Sequence, residues 1–81
     1  MKRILTDQEL EHLKTFHKYA QLPAPAGKRL DLAISAAVTG AMGYSSRQHA
    51  SRIKRTLQAM GYINEAGTRV TAKGVKYLTT Q

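Results

Sequence analysis

The 81-residue chain contains no cysteine and no tryptophan, and it has only two prolines and one phenylalanine. The absence of cysteine excludes disulfides, thiolate chemistry and cysteine-based zinc sites, and it fits a reducing compartment. No apolar run approaches the roughly 20 residues that cross a bilayer, and the longest covers residues 33–38. The chain turns polar at residues 6–9, where a signal peptide would continue apolar. We therefore expect no membrane span and no signal peptide.

A chain of this length has room for one domain, which we place over residues 1–81. A core this small seldom encloses the deep pocket that catalysis needs, and no nucleophile–base pair is evident. His12 and His17 are five residues apart, a spacing that does not align two metal ligands on one helix face. We therefore expect a protein that is not an enzyme and that has no metal, no cofactor and no small-molecule ligand.

Acidic residues are scarce, with five Asp and Glu against thirteen Lys and Arg, which gives a net charge of +8. The excess is uneven: residues 1–27 hold four basic and three acidic residues, whereas residues 28–81 hold nine and two. No acidic residue lies between Asp31 and Glu65. Such a concentrated positive field attracts a polyanion, and nucleic acid is the default partner. An anionic membrane surface, or solubility alone, would also fit this charge.

The first predicted helix is defined by the residues at its ends. Thr6 and Glu9 have the spacing of a capping box, and Pro23 disfavours a helix beyond about Gln21. Residues 22–27 then form a stiff, extended connector. The stripe that we predict to face the core consists of Leu10, Leu13, Phe16, His17 and Ala20.

A second helix is predicted over residues 28–42 and ends at Gly43, a residue suited to left-handed geometry. Ser45 or Ser46 caps the third helix, residues 45–60, and Ser45 with Gln48 has the capping-box spacing. The apolar stripe of this third helix consists of Ala50, Ile53, Leu57 and Met60. The opposite face is cationic and carries amide groups, with no acid to offset it.

The remainder of the chain predicts a β-hairpin and a last short helix. Within residues 62–71, β-branched and aromatic residues flank a turn that contains Gly67. Thr71 then caps a helix over residues 72–79. We expect Tyr44 and Tyr62 to pack against the core with their hydroxyls at the surface.

Three segments resemble the winged helix-turn-helix domain of many prokaryotic regulators. They are AMGYS at residues 41–45, LQAMGYI at 57–63 and RVTAKG at 69–74, and they are similar to that family's turn, recognition-helix exit and wing closure. The match covers about residues 28–78. In the family, the first inward residue of the recognition helix lies one position closer to the turn glycine than Ala50 does here. The resemblance implies a mainly α fold with a small β-hairpin, a three-helix winged helix-turn-helix followed by a short C-terminal helix.

The resemblance also implies a sequence-specific DNA-binding protein, most often a small transcriptional regulator, that is cytoplasmic and associated with the nucleoid. Helix 45–60 would enter the major groove of double-stranded DNA, where Arg reads guanine and Gln reads adenine, and hairpin 62–71 would be the wing. The recognition-helix residues are Ser46, Arg47, Gln48, Ser51, Arg52, Lys54, Arg55 and Gln58. The wing and flank residues are Asn64, Thr68, Arg69, Lys28 and Arg29.

Other functions remain open from the sequence. A charged helix face is often only a solvated face. The same scaffold could dock on an acidic surface of a partner protein, or grip the shape of an RNA duplex. A weak homodimer through the terminal helices, for example through Tyr77 and Leu78, is a further alternative.

Overall fold

The structure, a computed structural model, describes residues 5–22 and 29–80. This part of the chain is mainly helical and contains no β-strand. None of its helices is both long and apolar enough to cross a membrane. Residues 23–27 of the predicted connector (22–27) and the predicted site residue Lys28 lie outside the described residues. The four helices are α1 (Asp7–Ala20), α2 (Leu30–Met42), α3 (Arg47–Ala59) and α4 (Ala72–Thr79).

Helix α1 is the central element, because it contacts each of the other three helices. The predicted capping box starts it: the Glu9 amide donates to Thr6 Oγ1 at 3.1 Å, and the Thr6 amide donates to Glu9 Oε1 at 3.0 Å. The predicted inward stripe is confirmed for Leu13 and Phe16, which are buried, and for Leu10 and Ala20, which pack against the core; it is wrong for His17, which is half-buried and outside the core cluster. The buried residues of α1 are Glu9, His12, Leu13 and Phe16. The buried sector is turned toward Glu9 and His12 because α1 is covered from several sides.

The core draws on every helix and on the segment between α3 and α4. The buried residues that cluster there are Leu5, Leu13, Phe16, Ile34, Val38, Leu57, Tyr62, Ile63 and Val70. Val75, Tyr77 and Leu78 of α4 pack against this cluster. Tyr77 also accepts a hydrogen bond from the Leu5 amide at 3.3 Å, so the two ends of the described chain meet.

A tight turn joins α2 to α3. Gly43 ends α2 in the predicted left-handed conformation, with φ +70°, and the Tyr44 amide donates to Thr39 O at 3.2 Å. Ser46 is the N-cap of α3 and accepts from the His49 amide at 3.3 Å. Because the helix begins after Ser46, the alternative capping box of Ser45 with Gln48 does not form.

The predicted β-hairpin is reduced to a loop with one antiparallel β-bridge, between Ile63 and Val70. Gly61 follows α3 in the left-handed region and Thr71 already caps α4, so the pairing is confined to residues 62–70. Within the loop, Asn64 Oδ1 accepts from two backbone amides, those of Thr68 at 2.9 Å and Arg69 at 3.2 Å. A side chain thus takes the acceptor role that a longer backbone ladder would otherwise supply.

Residues 71–74 connect the end of α3 to the start of α4. Thr71 Oγ1 accepts from the Gly74 amide at 3.2 Å and donates to Gly61 O at 2.6 Å. Lys73 Nζ donates to Met60 O at 2.9 Å, which satisfies a carbonyl at the negative end of α3. Gly74 lies directly against the Tyr62 backbone. The Arg-x-Thr-x-Lys-Gly motif therefore has a structural role at this junction.

Candidate nucleic-acid interface

Helix α3 is anchored to the core along the predicted apolar stripe. Ala50 and Leu57 are buried, and Ile53 and Met60 are half-buried against the core cluster. This packing fixes the rotation of the helix and therefore the direction of the opposite face. With 13 residues α3 is about 20 Å long at 1.5 Å per residue, a length suited to a major groove.

The outer row of α3 consists of four exposed residues: Arg47, Gln48, Arg52 and Arg55. Among the described residues, none of these side chains has a hydrogen bond or an ion pair. The ion pairs of Lys14 with Glu11 and of Arg29 with Asp31 lie elsewhere in the described chain and do not involve α3. The arginines of the outer row are therefore free to meet an external anion.

The inner row of α3 is formed by Ser51, Lys54 and Gln58, which are half-buried. Lys54 Nζ donates to Ser35 Oγ of α2 at 3.4 Å. Gln58 Nε2 donates to the backbone carbonyls of Asn64 and Glu65 at 3.0 and 3.2 Å. The inner row thus faces α2 and the loop after α3, and the Gln58 amide is already engaged in holding that loop. Ser46, also predicted, is exposed but acts as the N-cap.

The predicted wing residues divide into two kinds. Asn64 and Thr68 build the loop: besides the amide contacts described above, Asn64 Nδ2 donates to Thr68 Oγ1 at 2.9 Å. Gly67 is buried against the side chains of Lys54 and Gln58, so the loop lies on α3. Arg69 is exposed and its guanidinium has no partner among the described residues. Arg69 is therefore the one predicted wing residue whose side chain is available to a ligand.

We expect Asn64→Ala to destabilise the protein by about 1–2 kcal/mol, because it removes an acceptor for two amides. Arg69→Gln, in the same loop, should leave stability within about 0.5 kcal/mol because its side chain is exposed. Urea unfolding followed by circular dichroism measures both. Equal stabilities of the two variants would contradict a structural role for Asn64.

On the flank of the interface, Arg29 precedes α2 and its side chain is 74% exposed. It donates from Nη2 to Asp31 Oδ2 at 3.0 Å, so part of its charge is offset within the protein. A phosphate bound there would have to compete with Asp31.

A buried histidine was missed by the sequence interpretation. His12 is 2% exposed, and its Nδ1 is hydrogen-bonded to the Tyr44 hydroxyl at 3.0 Å. Burial and, to a smaller extent, the charges of Lys54 and His49 lower the pKa of His12 to about 4. The prediction of a surface hydroxyl is therefore wrong for Tyr44, whose pKa burial raises. The spacing of His12 from Phe16, one helical turn, was the available signal.

Tyr44 connects His12 to α3 through ring contacts. Its ring centroid lies 5.7 Å from that of His12 and 4.8 Å from that of His49. His49 Nε2 in turn lies 3.1 Å from Gln8 Nε2 of α1. These contacts hold the N-terminal turn of α3 against α1, and they make His49 a packing residue at the helix edge.

An open cleft of about 470 Å³ lies between α2 and α3. Its floor contains the buried residues His12, Phe16, Val38 and Ala50. The remaining lining residues are Arg29, Leu32, Ala33, Ser35, Ala36, Thr39, Arg47, Ser51 and Lys54. This cleft could not be predicted from the sequence, because its lining comes from α1, from α2 with the preceding Arg29, and from α3.

The described residues contain no group of three or more His, Asp or Glu side chains that could hold a metal ion. Comparison of the chain with models of protein families, with curated proteins and with solved structures found no match in any of the three. The interpretation of this surface therefore depends on its own geometry and charge.

Proposed function

We propose that the chain is a small sequence-specific DNA-binding protein of the winged helix-turn-helix type that regulates transcription and associates with the nucleoid. In this proposal α3 enters the major groove and the loop at residues 64–69 lies beside it as a reduced wing. The observation that carries the proposal is the outer row of α3: exposed, cationic and unpaired in the described structure. The arginines and Gln48 carry hydrogen-bond donors that match acceptors on base edges. The buried stripe of α3 fixes the direction in which these side chains leave the helix.

The position of the charges supports binding rather than stability as their role. Arg47 lies in the first turn of α3, where the helix dipole disfavours a positive charge, and that turn contains no acidic residue. Arg52 and Arg55 are one turn apart on the same exposed side. Such like-charged neighbours repel each other until an anion lies between them.

The test is binding to duplex DNA selected from a random pool, measured by fluorescence anisotropy at several salt concentrations. The logarithm of the affinity should fall linearly with the logarithm of salt, by about 0.9 for each phosphate neutralised. The double variant Arg52→Ala/Arg55→Ala should bind at least about 30-fold more weakly, since each base contact contributes about 1–3 kcal/mol and two are removed.

The matched control is Lys18→Ala/Lys76→Ala, which removes the same charge from exposed positions on α1 and α4. This control should lose less than about threefold, because those lysines act only through a screened field. Equal losses in the two double variants, or an affinity that ignores salt, would refute the groove assignment. A palindromic selected site would indicate a dimer, and an asymmetric site a monomer.

Two other functions use the same surface and are outcomes of this test. An acidic protein partner is indicated if a pull-down survives nuclease treatment and no duplex binds. An RNA-duplex function is indicated if an RNA duplex binds more tightly than DNA of the same sequence, because A-form RNA is recognised by shape rather than by base edges.

A further inference from the structure

The cleft between α2 and α3 combines an apolar interior with a cationic rim. Phe16, Val38 and Ala50 form its floor, and Leu32 lies along one wall. Leu32 is 60% exposed, and nothing in the described structure covers it. The volume of about 470 Å³ is within the range of sites that hold small organic ligands.

The polar groups of the cleft are positive or neutral. Arg29, Arg47 and Lys54 supply three cationic heads, and Ser35 and Ser51 supply hydroxyls. None of the lining residues in the described ranges is acidic. Asp31 lies beside the rim and is already paired with Arg29. The cleft therefore offers donors and positive charge to an anionic group, beside a surface that only an apolar group would cover favourably.

We propose that this cleft binds a small organic anion with a flat apolar body, such as an aromatic carboxylate. The apolar body covers Leu32 and the floor, and the carboxylate lies beside Lys54, whose Nζ already points to Ser35 Oγ at 3.4 Å. Lys54 is half-buried, so its charge is less screened by water than that of an arginine in the outer row.

We infer that the same ligand also regulates DNA binding, and this inference rests on the proposed function. Arg47 belongs both to the cleft and to the outer row proposed to meet DNA, and Ser51 and Lys54 of the cleft follow it on the same helix. A carboxylate between them offsets their charge and places a negative group where a phosphate would approach. Ligand and DNA therefore compete, and each lowers the affinity of the other by the same factor.

The ligand site is tested without DNA, with 2-naphthoate as the probe and the neutral 2-naphthylmethanol as its matched control. Amide chemical shifts of the folded protein are followed by NMR during each titration. We expect naphthoate to bind with Kd about millimolar or tighter, with shifts confined to residues around the cleft. The alcohol should bind at least about fivefold more weakly, because it lacks the charge.

Three variants locate the site. Ala36→Leu fills the cleft from an exposed position on α2 and should abolish naphthoate binding without changing the fold. Lys54→Gln should weaken binding about fivefold. Arg55→Gln removes the same charge from the same helix outside the cleft, and it should change binding less than about twofold.

The proposal is overturned if the acid and the alcohol bind with equal affinity, if Lys54→Gln and Arg55→Gln lose the same amount of naphthoate affinity, or if Ala36→Leu still binds naphthoate.

A second experiment tests the regulation. Saturating naphthoate should weaken duplex binding by the wild type at least about threefold and leave duplex binding by Ala36→Leu unaffected. Naphthoate binding with no duplex binding at all would leave the site intact and refute the DNA function. Duplex binding that ignores naphthoate would refute the regulation alone.

Discussion

Gly74→Ala should destabilise the protein by about 2–3 kcal/mol, the largest effect that we expect from a single added methyl group. A Cβ at residue 74 would lie well inside contact distance of Tyr62 O and Val70 Cγ1. Tyr62 O belongs to the backbone and accepts from the Thr71 amide at 2.9 Å, so it cannot rotate away. Helix α4 would have to move off Tyr62, and the junction held by Thr71 and Lys73 would open.

The matched control is Gly40→Ala in α2, where nothing lies within 4 Å of the added Cβ. This change should stabilise the protein by up to about 1 kcal/mol, because alanine favours a helix interior over glycine. Chemical unfolding of both variants gives the comparison. A stability of Gly74→Ala within about 0.5 kcal/mol of the wild type would show that α4 is not packed on Tyr62 as described.

The second large effect is a loss of stability in acid that is caused by His12. The unfolded chain binds a proton at His12 with a pKa near 6.5, whereas burial in the folded protein lowers that pKa to about 4. Acid therefore favours the unfolded state. The free energy of unfolding keeps the full contribution of the neutral, buried His12 above about pH 6.5 and loses it as the pH falls toward 4. The shift corresponds to about 3 kcal/mol of unfolding free energy.

Urea unfolding at a series of pH values, with His12→Gln as the comparison, measures this contribution. The variant cannot gain the proton, so its stability should fall less than that of the wild type over the same range. Tyr44→Phe removes the hydrogen-bond partner of His12 but leaves the His12 imidazole buried. It should lower stability at every pH and keep the acid-dependent slope, because burial is the largest cause of the shift. Parallel pH profiles for the wild type and His12→Gln would contradict this account.

The sequence predicted what local chemistry determines. The caps at Thr6 and Thr71, the left-handed Gly43 and the apolar stripe of α3 each depend on a few neighbouring residues, and each is present in the structure. The start of α3 was narrowed to two serines, of which the structure uses Ser46. Four helices could therefore be placed closely from sequence alone.

Features that depend on distant contacts were missed. The burial of His12 depends on Tyr44, which comes from the turn between α2 and α3. The β-hairpin was predicted to be longer than it is because the Asn64 side chain accepts hydrogen bonds from two loop amides. β-propensity takes no account of such side-chain to backbone hydrogen bonds. In the candidate site, the exposed arginines followed from helix periodicity, but the engagement of Gln58 and Asn64 in the loop did not.

The unpaired cations of α3 have a consequence for folding. A helix with Arg47 at its positive end and with no acidic residue to relieve repulsion is poorly stable by itself, so α3 depends on the rest of the fold for its shape. The positive charges of α3 therefore disfavour the helix locally, and a bound anion reduces this repulsion. Any polyanion that binds to α3 should therefore raise the melting temperature of the whole domain, since it binds the folded state more tightly than the unfolded state.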